Sequence, residues 1–487
     1  MAFDSRWIGD ALSISPRFTR SYSVITSDSR KAKAGSLFVA LPGDTHDGHA
    51  FISAAVAAGA EAVLATAGKI QAGLPADVEI FAVRDSLEGY RTLARAWRKR
   101  FSIPFVVVAG SVGKTTTKEL LTAILRGRFR AVVSTQGSQN GFVGIPMTLL
   151  SVPDGADAAV IEVGIDEPGT MIRHIDLVEP THACLTAIGP EHLEKLVDLE
   201  TVAREESLAL VEPARRGATV VVRLDDPWIS KIADRLPADA NVWTCALRAP
   251  NEEKSPFQSG EKSLLDKSVR GEYSADRENL RVLLADGSGF DLAMPVPGAH
   301  NAGNLLVAVT VARSLGLSPI EIQRGLSTFQ GAAGRSELRI LPGQTPVLCD
   351  YYNANPTSVE AGLDLLESVA AKHEAKKKIA VLGDMLELGP KEEEFHRGLA
   401  GKLGSTHVDT ILLYGERMRW LFDELKKRSS RAQVGHFTTH AELADALSRE
   451  IQNGDALLIK GSRGMKMEEV WKKIEPILMS ASTVGGA

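Results

Sequence analysis

Short apolar runs, each followed by a turn and then by apolar positions spaced three and four apart, recur along this 487-residue chain. Alternation of that kind predicts an α/β architecture with parallel strands. From Leu37 to Ala65 a strand-like LFVAL leads through PGDTHDGH into a small-residue helix and, past Gly59, into a second apolar run, AVLA. The pattern starts afresh at Pro104, where FVVVA precedes a glycine-bearing turn and the helical spacing of Leu120, Leu121, Ile124 and Leu125. Between Ala249 and Asn279 the sequence turns polar and charged without sustained periodicity, which reads as a surface insertion, and Leu280 to Leu284 resumes as a strand. After Arg335, apolar strands at Val347–Cys349, Ile379–Leu382, Ile411–Tyr414 and Ala456–Ile459 are separated by helix-length stretches, which predicts a parallel, Rossmann-like third domain. At about 150 residues per domain the length also suggests roughly three, with expected spans 1–100, 101–332 and 333–487.

Composition narrows the partners. Apolar residues make up 44% and charged residues 24%, a soluble globular balance. Lys and Arg total 56 against 61 Asp and Glu, so the basic field of a nucleic-acid binder is missing. The opening MAFDSRWIGDALSISPRF lacks a basic segment followed by an apolar core, and no apolar run approaches the ~20 residues that span a bilayer, so neither export nor membrane insertion is expected. Cys184, Cys245 and Cys349 are odd in number and widely spaced, which fits no disulfide framework or zinc cluster and suits a reducing cytoplasm.

The strongest local signal is Gly110-Ser111-Val112-Gly113-Lys114-Thr115-Thr116-Thr117, set between FVVVA and the amphipathic helix. Glycines let backbone N–H groups converge on phosphate oxygens, a helix N-terminus adds positive potential, Lys114 can neutralise the β and γ phosphates, and Thr115 can ligate magnesium. A plain strand-to-helix turn with a solvated lysine is the alternative. Ala158–Ile161 reads as a strand that places Glu162 at its tip, where such sheets bind ligands. Glu162 is a candidate magnesium ligand and His192, in GPEHLEKL, a second, although a single histidine often serves structure alone.

The first loop glycine lies only three residues before Gly113, with Val108 at the position where the general phosphate-loop pattern has glycine. This GxxGKT[ST] spacing resembles that of the Mur ligase family, which also contains folylpolyglutamate synthases and forms amide bonds through acyl phosphates. Glu162-Val163-Gly164 and His192-Leu193-Glu194 resemble the family's E-[MV]-G strand end and H-L-E loop, whose acid and histidine serve metal ions beside the ATP phosphates. Gly298-Ala299-His300-Asn301-Ala302-Gly303-Asn304 is similar to its G-x-H-N-x-x-N segment. The resemblance implies contact with adenine through Asn301, whose amide offers donor and acceptor, helped by His300; a helix-capping loop is the plain reading.

In the third domain, Asp350-Tyr351-Tyr352-Asn353-Ala354-Asn355-Pro356, VLGDMLELG (381–389) and Lys460-Gly461-Ser462-Arg463 resemble signatures of the branch that joins D-alanyl-D-alanine to a UDP-N-acetylmuramoyl-tripeptide. The DNPR-type motif of the branch that adds the third residue is absent. Asn355-Pro356 also makes a good helix start. The resemblance implies incoming-dipeptide contacts around Asn353, Asn355 and Asp384, and nucleotide contacts from Arg335 and Asp350. Ser27-Asp28-Ser29-Arg30, Gly35–Leu41 and Asp47-Gly48-His49 resemble the uridine-nucleotide-binding domain, with Ser27, Ser29 and Arg30 facing the UDP group.

Two departures stand out: Cys349 occupies a position where an acid is common, and Gly141-Phe142 positions often held by asparagine and an acid, which affects any role for Asn140. A third is Glu206, fourteen residues after His192, where many Mur ligases carry a carbamoylated lysine near magnesium. The expectation is therefore a cytoplasmic, monomeric, three-domain ligase with a central phosphate-loop ATPase, using ATP and Mg2+. Another Mur-type amino-acid or folylpolyglutamate ligase, or a nucleotide-switched binding protein, are the alternatives.

Overall fold

The computed structural model describes residues 2–43, 46–248, 267–429 and 431–480. By the density of internal contacts these fall into two units. One comprises Met1–Val107, Phe129–Val163 and Ile172–Thr181, and the other Val108–Arg128, Gly164–Met171 and His182–Ala487.

In the first unit β1 (Phe3–Asp4) and β2 (Ser21–Tyr22) form an antiparallel pair. β3 (Val24–Thr26), β4 (Ser36–Val39), β5 (Ala60–Thr66) and β6 (Glu79–Val83) follow one another in a parallel sheet. The run expected at LFVAL is β4, wholly buried, and AVLA lies within β5. Asp85 caps the helix Ser86–Arg98 by accepting from the N–H groups of Leu87 and Glu88. This helix binds residues from the stretch expected as part of the central domain: Trp97 Nε1 donates to Val152 O at 3.0 Å and Arg98 Nε to Val178 O at 2.8 Å. Those bonds tie residues 152 and 178 to the N-terminal helix within this unit. The unit also holds the parallel pair β8 (Val132–Ser134) and β9 (Ala158–Glu162). The chain passes between units inside the fully buried strand β7 (Phe105–Ala109).

The second unit carries two sheet systems. β10 (His182–Leu185), β11 (Thr219–Arg223), β12 (Val242–Arg248) and β13 (Ser268–Ser274) are parallel, and β14 (Asn279–Leu284) and β15 (Gly289–Ala293) continue antiparallel. Of the stretch expected as an insertion, residues 249–266 lie outside the described residues. Its remainder includes β13, paired on both sides, so the polar SVRGEYS is sheet and not surface insertion.

The other sheet has the order β16 (Glu337–Leu341), β17 (Thr345–Asp350), β21 (Ala456–Lys460), β18 (Lys378–Gly383), β19 (Thr410–Tyr414) and β20 (Gln433–Phe437). It is parallel except for the edge strand β16. Successive residues bury opposite faces: Leu348, Ala380, Leu382 and Leu458 enter one core, and Val347, Cys349, Val381, Leu457 and Ile459 the other. Burial on both faces makes these strands read as continuous apolar runs. The half-buried QVGHF of β20 and the edge strand β16 lack that signal and escape the sequence pattern.

Behind the phosphate loop, the helix Lys114–Arg126 packs on the helix Pro319–Leu326 almost backbone to backbone. A Cβ at Gly325 would collide with Ile124 O and would lie 2.5 Å from Ala123 O. Gly398, inside the helix Glu392–Ser405, has nothing within 4 Å. Gly325→Ala should cost about 1–3 kcal/mol through overpacking, whereas Gly398→Ala should gain up to about 1 kcal/mol from helix propensity. Thermal unfolding midpoints that move in opposite directions would bear this out, and equal shifts would not.

Candidate active site

The phosphate loop begins where β7 ends. Thr186 N donates to Ala109 O at 3.0 Å and Ser111 N to Ala187 O at 2.8 Å, which ties the loop to the segment after β10. Gly110 and Gly113 have φ of +118° and +89°, and a Cβ at Gly113 would collide with the Asn304 side-chain amide. Only glycine fits there.

Beneath the loop lies a buried charged cluster. Lys114 Nζ donates to Gly110 O at 2.5 Å and to Ser111 O at 3.4 Å, and pairs with Glu191 Oε2 at 3.3 Å. Glu206 is fully buried and accepts from Gly110 N at 2.9 Å. Burial pushes the Glu206 carboxyl pKa up; Lys114 and the Gly110 N–H oppose this, and the Glu191 charge adds to it. Glu206 Oε1, Glu191 Oε1 and Ser111 Oγ are buried without a hydrogen-bond partner.

A cavity of about 310 Å³ opens beside the loop, lined by Ser111, Gly113 and Thr116 on one side and by Arg335, Asp350, Asn353 and Asn355 on another. His300 and Asn301 also line it. Burial holds His300 neutral, with a pKa lowered to about 4, and Ser336 Oγ lies 3.5 Å from its Nε2. Asn301 Nδ2 donates to Pro297 O and its Oδ1 accepts from Asn304 Nδ2, so part of its amide is engaged within the protein. The Arg335 guanidinium lies 3.9 Å from the Tyr352 ring centroid, a stacking arrangement.

The loop after β17 is held by a buried lysine. Lys460 Nζ pairs with Asp350 Oδ2 at 2.6 Å and donates to Asn353 O at 3.0 Å, while Asp350 Oδ1 accepts from Ser336 N at 3.0 Å. Asn355 starts the helix Pro356–Lys372 with a reciprocal cap: its Oδ1 accepts from Ser358 N and its N–H donates to Ser358 Oγ, both at 2.9 Å. Asp384 is placed differently. Its oxygens accept from Met418 N at 2.8 Å and Arg417 N at 3.2 Å at the start of the helix Met418–Lys427, and it does not line the cavity.

His192 has φ +50° and pairs through Nδ1 with Glu387 Oε2 at 2.6 Å. Burial disfavours its imidazolium, but the Glu387 hydrogen bond and the Glu191 and Glu387 charges prevail, and its pKa is raised. Glu162 lies in the first unit at the tip of β9, accepting from Asn140 Nδ2 at 2.8 Å. In the same unit, Asp28 accepts from Arg30 N and pairs with Arg30 Nε at 2.9 Å. This shapes the turn Ser29–Lys31 after β3 and leaves the Arg30 side chain 87% exposed.

Residues 21–98 match the Mur ligase family, catalytic domain; residues 108–312 match the Mur ligase middle domain; residues 334–463 match the Mur ligase, glutamate ligase domain. A UDP-N-acetylmuramoyl-tripeptide–D-alanyl-D-alanine ligase of Synechocystis is 33% identical over 447 residues, 92% of this chain and 90% of that protein. The chain belongs to the Mur ligase family. Among solved structures, MurF from Acinetobacter baumannii superposes with a TM-score of 0.81 at 25% identity, covering 98% of this chain and 99% of that one. MurF ligase from Thermotoga maritima, solved in complex with ADP, gives 0.76 at 25% identity over 94% and 98%.

Around the phosphate loop of this Mur ligase stand residues that motif reading passed over. Glu191, one residue before the singled-out His192, is the acid that meets Lys114. Arg223, Asp225 and Asp226 line the cavity. Their signal was available: a charged cluster directly after the apolar run of β11, at the carboxyl end of a parallel strand. Cys349 is buried in the core with its thiol pushed up to about 12 by burial, so it cannot stand in for an acid.

Magnesium suits the donors present. Hydroxyl and carboxylate oxygens with a single imidazole form a hard set, and Glu191 Oε1 and Glu206 Oε1, buried with no donor facing them, are oxygens that a cation or a proton shared between the two carboxyls would satisfy. Among the described residues no three His, Cys, Asp or Glu side chains converge as a metal cage. Mg2+ commonly binds through few protein ligands together with phosphates and water.

Replacing Gly113 by alanine forces a side chain into φ +89° and onto Asn304. At about 1–2 kcal/mol for the left-handed backbone alone, affinity for a non-hydrolysable ATP analogue should fall about tenfold or more. Calorimetric titration reads this directly, and unchanged affinity would remove the loop from nucleotide binding.

Proposed function

We propose that this Mur ligase joins D-alanyl-D-alanine to UDP-N-acetylmuramoyl-tripeptide at the expense of ATP, making the pentapeptide precursor of peptidoglycan. The observation that carries this is a cavity lined together by the phosphate loop, His300–Asn301 and the DYYNANP loop. The similarity of the Synechocystis ligase over 92% of the chain supports it. The family matches favour three functional domains, 1–100 for the UDP substrate, 101–332 for ATP and 333–487 for the incoming dipeptide.

A carboxylate is a poor electrophile. An oxygen of the tripeptide's terminal carboxylate attacks the γ-phosphorus, the bond to the β-phosphate oxygen breaks, and ADP leaves. The dipeptide amine then attacks the acyl-phosphate carbonyl carbon, inorganic phosphate departs with the electrons of the C–O bond, and the amine gives up a proton. Lys114, released from Gly110 and Glu191, offsets charge on the transferring group, and the Gly110–Thr116 backbone cradles the phosphates. Bound Mg2+ would add electrophilic charge at the phosphates; Thr115, Glu162 and His192 are the residues proposed to hold it, with Glu206 as a further candidate. Neutral His300 and Asn301 meet the adenine, Arg335 and Asp350 reach the nucleotide from the third domain, and Ser27, Ser29 and Arg30 meet the UDP group. Asn353 and Asn355 present polar edges to the dipeptide, with Asp384 holding the adjacent loop.

Among the described residues no helix is long and apolar enough to cross a membrane.

Phosphate release should need ATP, the UDP-muramoyl tripeptide and D-alanyl-D-alanine together. Replacement of the dipeptide by a single amino acid without loss of rate would defeat the assignment.

Glu206 is proposed to supply the negative charge that a carbamoylated lysine brings in many relatives, and its buried place under Gly110 supports that role. Bicarbonate depletion should then leave the rate unchanged. Glu206→Gln keeps an acceptor for Gly110 N but no charge and should weaken magnesium dependence, while Glu206→Lys should recover activity only with added bicarbonate. Bicarbonate dependence of the unaltered enzyme, or a fully active Glu206→Gln variant, would refute this.

A further inference from the structure

The pair between His192 and Glu387 joins a loop of the middle-domain match to a loop of the glutamate-ligase-domain match, inside one unit. Three observations show that it is built and not incidental. Both partners are non-glycine residues in the left-handed region, His192 at φ +50° and Glu387 at +63°, a conformation that persists only where surrounding structure enforces it. The two loops also touch through their backbones: a Cβ at Gly389 would lie 2.8 Å from Leu193 O and 2.9 Å from Leu193 C.

The His192 loop is also tied down at its far end. Val197 has φ +68° and ψ −55°, and Asp198 N donates to Leu196 O at 2.8 Å, a tight and strained three-residue turn. Asp198 then caps the helix Leu199–Arg215, accepting from Thr201 N at 2.8 Å, and this helix carries Glu206 to Gly110. The chain is thus fixed at His192 from one side and at the phosphate loop from the other.

With side chains 32% and 58% exposed, the ion pair is too solvated to add much to stability. What it does is orient. A carboxylate on Nδ1 fixes the imidazole ring and its tautomer and leaves Nε2 as the nitrogen that presents a lone pair, the arrangement by which outer carboxylates position metal-binding histidines.

We propose that Glu387 is the positioning residue of His192, so that cation affinity on the phosphate side depends on docking of the 387–389 loop of the C-terminal domain. This rests on the reading of His192 as a metal-side ligand. It gives the ELG part of VLGDMLELG a function separate from dipeptide contact. Magnesium affinity then becomes sensitive to whether the domain that receives the amine is in place.

The test uses the full-length enzyme with Mn2+ as the probe, titrated by electron paramagnetic resonance in the presence of a non-hydrolysable ATP analogue. Glu387→Ala should weaken Mn2+ binding about tenfold or more, and Glu387→Asp should restore part of it. Glu387→Ala in a His192→Ala background should add nothing. Without any metal, and at an alkaline pH where the ring is neutral, nitrogen-15 spectra of Glu387→Ala should show the His192 ring passing from one tautomer to a mixture. Glu387→Gln, which keeps the side-chain volume, replaces the alanine variant if that fails to fold and should also weaken binding. If His192→Ala weakens Mn2+ binding and the Glu387 variants do not, the positioning role alone is overturned. If His192→Ala leaves Mn2+ binding unchanged, the metal-side reading falls and this inference with it.

Discussion

The site depends on charge buried beneath a backbone loop. Lys114 curls back onto Gly110 O and Glu191, and Glu206 accepts the Gly110 N–H from below. A buried carboxyl with an unpartnered oxygen is costly unless a cation or proton answers it. In this arrangement Lys114 does so. If the lysine turns toward a phosphate, the carboxyls it leaves must be answered by a cation or a proton.

The C-terminal sheet repeats the device with less at stake. Lys460 is buried at the end of β21, where its ammonium group is shared between Asp350 and Asn353 O. One cation thus fixes the first and fourth residues of DYYNANP, and the loop between them carries Tyr352 under Arg335. Tyr351 packs against Gly334, where a Cβ would lie 2.7 Å from the ring.

How much of this the sequence disclosed follows from how locally each feature is determined. The strands β7, β17, β18, β19 and β21 are buried on both faces, so hydrophobicity alone marks them, and the phosphate loop is marked by glycines whose φ values the fold demands. Contacts remote in sequence left less trace. Glu191 beside Lys114, seventy-seven positions apart, and Glu387 beside His192 are fixed by tertiary packing and carry no local pattern. Asp384 shows the converse: its motif marked it as important, but both its oxygens serve a helix start. The placement of residues 129–163 with the N-terminal segment was equally illegible, because it rests on Trp97 and Arg98 reaching carbonyls far along the chain.

Asn355 does two jobs with one amide. It closes the first turn of the helix Pro356–Lys372 and lines the cavity where substrates are proposed to meet. Evolution cannot adjust such a residue for binding without also grading it as a helix start, because the residue types that cap well are few. Serine, aspartate and threonine are the neighbouring options, and each would change the polarity offered to the substrate. Drift in specificity at this wall is thereby confined to a short alphabet, and the cavity is tied to a choice of side chains made for folding.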